Sequence, residues 1–410
     1  MKRLIIYWEN FKTTWVSNLA ILILLTISIY FFVDAYGIFR AETDTYTRLK
    51  NADTENMVYF EEKQIAYNSE NYVNEYRALA SEIEDFAAVD FVDISLSGGV
   101  NFQGEKREES ASLRVVKDHQ KVLYPVLKKG EWPLQGVNED GSLNAVVSGK
   151  YLYGHAKIGD IITVKFNRQE NVEIKIKIAG ILPYPCYMPH YGGGGSTIAA
   201  DSLFANYDTI LVYDGELMQS LMDQYPGSFG VDCNFMVKFD ADASEEDLEE
   251  AMQFLRNRGA IHPVSEILNQ SKIELAESFK SVMLQPIFFL FTTFLAFISM
   301  MILSIYKRIQ DHSVFYLVGC SKKRIMVDMT IQIGIISLIS GLLNLLYVLN
   351  YSKLVAMDVI HYDVVFLVFD NQVIWVLVGI ILAIYLLTVC VAMSIMKKRS
   401  PVDMLRKFEN

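Results

Sequence analysis

Charge is missing from four long stretches of this 410-residue chain. Residues 16–33 are uncharged for 18 positions, 282–306 for 25, 333–350 for 18 and 373–396 for 24. Only 21% of all residues are charged and 52% are hydrophobic, a balance that leans toward a membrane protein. Other absences narrow the chemistry. No G-x-x-x-x-G-K-[ST] occurs, so the chain does not bind ATP through a P-loop of its own. The run Gly192–Gly195 followed by Ser196 is glycine-rich but lacks the lysine and reads as a loop. Neither H-E-x-x-H nor G-x-S-x-G is present, which leaves hydrolase chemistry without support. No internal repeat appears, and Gly192–Gly195 is the one low-complexity tract.

What is present follows from those uncharged runs. A hydrocarbon core of about 30 Å is crossed by roughly 20 helical residues at about 1.5 Å each, so all four runs can span. Lipid offers the backbone no hydrogen bonds, so each span must be helical. The first run could be cleaved as a signal peptide, since Lys2 and Arg3 precede it and Val33-Asp34-Ala35 loosely fits a cleavage site. The 15 residues ahead of it are long for that role, four of them are aromatic, and the apolar run is too long. The segment is therefore expected to stay as a span. Ionisable residues inside the spans are scarce, with Asp328 near one end of the third, which argues against a proton-coupled carrier.

Charge outside the spans orients the chain. Residues 1–12, 307–328 and 397–410 carry 13 Lys/Arg against 5 Asp/Glu, whereas 34–281 carry 23 against 40 and 351–372 carry 1 against 3. Short basic loops stay in the cytoplasm. Both termini and the Lys322–Lys323–Arg324 cluster are thus expected inside, and the long acidic insert outside. The expected fold is a membrane α-helical bundle of four transmembrane helices carrying a large extracytoplasmic α+β domain inserted between helices 1 and 2. Its layout is a cytoplasmic interfacial helix (1–15), helix 1 (16–39), the inserted domain with a helical stalk (40–281), helix 2 (282–306), a cytoplasmic loop (307–325), helix 3 (326–350), an outer loop (351–372), helix 4 (373–396) and a cytoplasmic tail (397–410). Leu4, Tyr7, Trp8, Phe11 and Trp15 recur at helical spacing, which suits a helix lying in the headgroup belt.

The insert mixes strand and helix patterns. "NMVYFEEK", "ASLRVV", "TILVYD" and "CNFMVKFD" have strand character, and "GDIITVKFN" with "VEIKIKIAGIL" reads as a hairpin. Tyr76, Leu79, Ile83 and Phe86 give one helix a buried face. Ser244 caps a second helix that Gly259 ends. Residues 265–284 continue as a stalk into the second span, which Pro286 is expected to bend. "PYPCYMPHY" brings the soft ligand types Cys186, Met188 and His190 within five residues, but no further ligands lie near, and no metal site is assigned. Cys186 and Cys233 are the insert's two cysteines, and an oxidising exterior allows a disulfide between them. Cys320 and Cys390 are expected as free thiols.

Two blocks resemble the FtsX-like permeases of ABC transporters, and within them the MacB-type architecture of one span, a large ectodomain and three spans. In the insert, "LKKGEWPLQGVNEDGSLNAVVSGKYLYGHAKIGDIITVKF…IKIKIAGIL" is similar to the family's succession of a turn, an "a-V-V-S" strand, a short helix, "G-D-x-[IV]-x-[VI]" and "V-x-G-[IV]". Toward the end, "RIQDHSVFYLVGCSKKRIMVDMTIQIGIISLISGLL" is similar to the family's "R-x-x-E-…-G-[AC]-[ST]-[KR]" block, and "KKRSPVDMLRKF" to its closing "P-x-x-x-L-R". Gln310-Asp311 stands where the family often has Glu.

The resemblance implies a permease subunit, not an enzyme, of a bacterial plasma-membrane transporter. Cytoplasmic ATP hydrolysis by a separate ATPase dimer would drive ectodomain movement, exporting or removing a peptide, antibiotic or lipophilic compound. Other readings are an ATP-driven regulator of a cell-wall hydrolase, with no transport, and a membrane receptor or adaptor without an ATPase. The chain itself is expected to bind no cofactor; ATP and Mg would sit in the partner. Further partners are a second permease, identical or related, an extracytoplasmic protein and the bilayer, with no nucleic acid. Ser313 can cap a short helix bearing Val314, Phe315, Leu317 and Val318, which Gly319 can end in a left-handed conformation. The resemblance makes it the coupling helix on the ATPase, flanked by Lys322, Lys323 and Arg324.

Overall fold

The computed structural model describes residues 15–52, 54–65, 71–104, 108–133, 136–148, 155, 157–184, 186–192, 194, 198–206, 208–307, 319, 321–356 and 367–398. The chain divides into two compact units, cut at Phe39/Arg40, Glu277/Ser278, Tyr351/Ser352 and Val368/Phe369.

The first unit is helical. Helix α1, Trp15–Asn51, runs 37 residues without a break and does not stop at residue 39. Among the described residues, four helical stretches are long and apolar enough to cross a membrane: Trp15–Asn51, Val264–Leu303, Thr330–Val355 and Asn371–Ile395. They turn Leu25, Ile29, Val33, Phe297, Ile333, Ile336 and Leu377 toward one another. Outward they present Phe288 (68% exposed), Leu338 (69%) and Trp375 (74%). Water would not tolerate so much apolar surface on a folded bundle, and lipid does. Without a hydrophobic drive between helices in lipid, small residues and hydrogen bonds join them. Thr26 Oγ1 meets Ser340 Oγ at 2.9 Å, Ser28 Oγ meets Thr293 Oγ1 at 2.7 Å, and Asn344 Nδ2 donates to the Thr26 carbonyl at 3.2 Å. Midway along α1, Tyr347 Oη donates to Asp34 Oδ1 at 2.8 Å.

The third and fourth spans belong to helices Lys322–Ala356 and Asn371–Lys398. The second enters through a stalk helix, Val264–Ser278, a π-helical turn, Phe279–Met283, and the helix Leu284–Lys307. The turn has a local cause. Pro286 has no N–H to give the carbonyl of residue 282, and an added residue in the preceding turn absorbs the mismatch.

The second unit is built on a ten-stranded sheet. Its strands are β1 Met57–Glu62, β2 Val89–Gln103, β3 Glu108–Val116, β4 Lys129–Gly130, β5 Leu143–Ser148, β6 Ile161–Phe166, β7 Gln169–Ile181, β10 Thr209–Tyr213, β11 Phe229–Phe239 and β12 Gly259–Pro263. Two short strands, β8 Met188–Pro189 and β9 Phe204–Ala205, pair separately. The sheet runs β12-β1-β11-β2-β3-β10-β5-β7-β4, and β6 pairs with both β2 and β7. That double pairing closes a ring of six strands, β2-β3-β10-β5-β7-β6. The 15 residues of β2 and 13 of β7 let each strand serve two sets of neighbours. Its interior is filled by alternate residues such as Val100, Leu113, Ala145, Val164, Phe166, Ile176 and Ile210, all buried.

Helices α2 (Tyr72–Glu84), α3 (Glu216–Gln224) and α4 (Glu245–Arg258) bring Tyr76, Ile83, Met218, Met222, Ala251 and Leu255 to the same core. Ser244 caps α4 by accepting from the Asp247 amide at 3.1 Å. Gly259 follows α4 directly but is extended rather than left-handed, and opens β12. A Cβ there would lie 1.9 Å from the Glu61 carbonyl of β1, so the close strand approach is what requires glycine.

Candidate functional site

The opposite face of this sheet carries the features that connect the insert to its two helical stems. Leu49 and Ala52 at the end of α1, and Val264 and Ile267 at the start of the stalk helix, are buried in one cluster. The same cluster holds Tyr59 and Met236 from the sheet and Leu123, Tyr191, Leu203 and Phe204 from the loops. Arg48 fixes α1 to these loops. Its Nη1 donates to the carbonyls of Leu123 and Tyr187, both at 2.8 Å, its Nη2 lies 2.9 Å from Asp44, and its guanidinium stacks over Phe204 at 4.8 Å. Burial lowers the Arg48 pKa, and Asp44 opposes that shift. On the stalk helix, Ser271 Oγ accepts from the Ala200 amide at 2.8 Å and donates to the Ile267 carbonyl.

Beneath those loops is a buried polar network. Asp93 of β2 accepts from Gln120 Nε2 and from Tyr191 Oη, the latter at 2.9 Å. The Tyr191 amide donates to Asp232 Oδ2 at 2.8 Å, and His190 Nδ1 lies 3.1 Å from Asp232 Oδ1. Arg114 of β3 donates to the Pro189 carbonyl. Burial, then the charge of Asp93, raises the Tyr191 pKa far above its ordinary value, so its hydroxyl stays a donor. Burial pushes Asp232 up, but the hydrogen bond and charge of His190, a hydrogen bond from Ser95 and the charge of Arg114 together outweigh it and hold the carboxyl below its usual range.

"PYPCYMPHY" thus lies in this loop layer, and its three soft-ligand residues go to separate partners. Cys186 is buried with its Sγ 3.4 Å from Ser148 Oγ, and burial pushes its thiol up to about 11. Met188 is buried beside it, whereas His190 faces Asp232. The bridge that an oxidising exterior would allow between Cys186 and Cys233 is not formed in this structure: both are free thiols. The sheet separates them. Cys233 packs on the core face, where Tyr76 hydrogen-bonds it, while Cys186 belongs to the loop layer on the other face.

Of the residues expected in the coupling segment, Val314, Phe315, Leu317 and Val318 lie outside the described residues, as does Cys320. Gly319 has φ +89°, in the left-handed region that favours glycine. Lys322, Lys323 and Arg324 form the first turn of their helix, and the Arg324 amide donates to the Ser321 carbonyl at 2.9 Å. Sequence reasoning passed over Arg48, Asp93, Arg114, Ser271 and Asp232. Arg48 alone had a legible signal, a cation with Asp44 one turn before it.

Residues 283–401 match the FtsX-like permease C-terminal family. This part of the chain is thus similar to the C-terminal portion of FtsX-like permeases. Solved structures similar to the chain include the extracellular domain of the noncanonic ABC-type transporter YknZ from Gram-positive bacteria, at 13% identity, covering 50% of this chain and 97% of that one with a TM-score of 0.27. Another is the periplasmic region of MacB from Actinobacillus actinomycetemcomitans, at 15% identity, covering 56% and 98% with a TM-score of 0.32. No curated protein matches the chain.

Proposed function

We propose that this chain is the membrane subunit of an ABC transporter in which a separate cytoplasmic ATPase drives movement of the inserted domain. The observation that carries the reading is the pair of stems. Helix α1 and the stalk helix each run from an apolar span into the insert, and both end in one buried cluster. A shift of either span is therefore delivered to the loops held by Arg48 and Ser271. No substrate path through the bilayer is required. The cargo class is a peptide, antibiotic or lipophilic compound displaced on the outer side, with a second permease chain completing the pair. ATP and Mg belong to the ATPase.

Coupling would enter through the segment bearing Val314, Phe315, Leu317 and Val318. Apolar anchors at a small interface typically cost about 2 kcal/mol or more when truncated, roughly a thirtyfold loss in affinity. Phe315→Ala and Leu317→Ala should each weaken copurification of the ATPase and depress ATP turnover, with the permease still reaching the membrane. An intact complex with both residues replaced would remove the coupling role and leave a receptor or adaptor.

A further inference from the structure

Strands β5 and β10 lie side by side in the ring, with Ala145 opposite Val212, and diverge just beyond that pair. β10 runs on through Asp214 and Gly215 into α3, whose Met218 and Met222 are buried in the core that fills the ring. β5 is entered from the turn at 138–142, where the Asn138 amide donates to the Ser142 carbonyl at 2.8 Å. Between the two lies a cavity of about 830 Å³. Small-molecule sites occupy about 300–1,000 Å³, and the mouth of a strand ring is a usual place for one. The β5 wall is fixed by its own bonds. Asn138 Nδ2 donates to the Ser142 carbonyl at 2.9 Å and to Asn144 Oδ1 at 3.2 Å, and Asp140 Oδ1 accepts from the Ser142 amide and hydroxyl at 3.0 and 2.6 Å. On the β10 side, Tyr213 Oη donates to Asp118 Oδ2 at 3.0 Å. Val137, Leu143 and Leu217 give the cavity apolar lining, and a Cβ at Gly136 or Gly215 would meet nothing within 4 Å.

The charge in this cavity is of one sign. Asp214 and Glu216 are carboxylates, Asn144, Gln219 and Ser220 are neutral, and no lysine, arginine or histidine lines it among the described residues. Helix α3 starts here with no side-chain cap on Gly215. A helix start carries about half a positive charge, which two carboxylates outweigh. Asp214 Oδ1 is enclosed and makes no hydrogen bond among the described residues, so the fold leaves this carboxylate under-compensated. Lys117 and Arg77 act on Asp214 from outside the lining, but each already has an acid of its own, Glu84 at 3.6 Å and Asp223 at 2.5 Å. A metal ion is a poorer match. Hard cations want six or more oxygens, and no group of three or more His, Cys, Asp or Glu that could hold one occurs among the described residues.

We propose that this cavity binds an amphipathic organic amine, with its ammonium group on the carboxylates of Asp214 and Glu216 and its apolar body against Val137, Leu143 and Leu217. The two carboxylates supply the charge and the acceptors that an ammonium group needs, and the apolar lining removes the rest of the molecule from water. All of these groups belong to the insert. Binding needs no ATPase, so it stands or falls apart from the transporter reading.

Hydrogen exchange on the full chain in phosphatidylcholine nanodiscs tests it with three probes that share one body: 4-phenylbutylamine, 4-phenylbutanol and 4-phenylbutyrate. The amine should slow the amides of residues 215–219 saturably, and the alcohol and the acid should not. Asp214→Asn with Glu216→Gln should raise the half-saturating amine concentration at least about tenfold, the order that one charge-assisted hydrogen bond supplies. Gly215→Leu keeps both carboxylates and an extended backbone that any residue adopts, but fills open space, and should weaken the amine as well. Strands β2 and β3 should keep their protection in every variant as a folding control. The blocked dipeptide acetyl-Phe-Lys-amide names the source: slowing by it puts the ammonium on a peptide, slowing by the amine alone puts it on a free amine, and either supports the site. Equal slowing by the alcohol would overturn the proposal in favour of a purely apolar groove. No slowing by the amine, or a half-saturating concentration unchanged in the double variant or in Gly215→Leu, would overturn it too.

Discussion

Asp232 shows how a single carboxyl is set by its surroundings. Burial favours its neutral form, but the hydrogen bond and charge of His190, with Ser95 and Arg114, favour the ionised one and together prevail. A carboxyl held low in the fold contributes stability that is complete above the unfolded value near about 4 and fades as pH falls through the lower folded value. The thermal midpoint of the full chain in detergent should therefore drop once pH goes below about 4. Asp232→Asn should lower the midpoint at pH 7 and make the acid drop shallower. Identical acid slopes for both proteins would take Asp232 out of the account. Cys186 and Cys233 make the complementary point. Their residue type permitted a bridge, but the alternation of side chains along β11 sends Cys233 to the core face while Asn234 bonds Tyr59 on the other.

At the scale of elements, the important feature is the length of α1. Seen as a span it ends with its apolar run; as a structure it continues to Asn51 and delivers Arg48 to two loop carbonyls. Replacing Arg48 by Met keeps the apolar stem but removes the donors, leaving two carbonyls to lose partners at about 1–3 kcal/mol each where water cannot enter. Amides of residues 118–124 and 186–191 should then exchange at least about tenfold faster, equivalent to about 1.4 kcal/mol of local opening. Strand β5 and the spans should be unchanged. Loops as protected as before would mean that the apolar cluster of Leu49, Ala52, Val264 and Ile267 holds the stem alone. The π-turn at Phe279–Met283 was foreshadowed by Pro286, although proline by itself specifies a missing hydrogen bond and not the form of the repair.

For the whole molecule, the asymmetry of charge bears on direction. The short basic segments share one side of the bilayer if the rule for lysine and arginine holds, and this puts Cys320 in the cytoplasm. With Cys390 replaced by Ser, a membrane-permeant thiol reagent should label the protein in intact cells at Cys320 and an impermeant one should not. Labelling of Cys320 from outside would reverse the orientation and remove the coupling role of its loop. The stems would still join spans to insert, so the mechanical link and its direction are separable by experiment.

The membrane-crossing character and the caps were legible because their causes are local. An uncharged run of 18 to 25 residues has one low-energy form in lipid, and Ser244 meets the amide of Asp247 only three positions away. Strand alternation likewise disclosed β6 and β7. The closed ring of strands, the free cysteines and the network of Asp93, Gln120, Tyr191 and Asp232 were decided by tertiary structure. Asp93 reaches Tyr191 across 98 positions and Arg48 reaches Tyr187 across 139. Pairings so distant leave no periodicity in the chain, because each partner's own neighbours are chosen for strand or loop and not for the contact. Buried polar groups must find partners somewhere, and only the folded chain determines which ones.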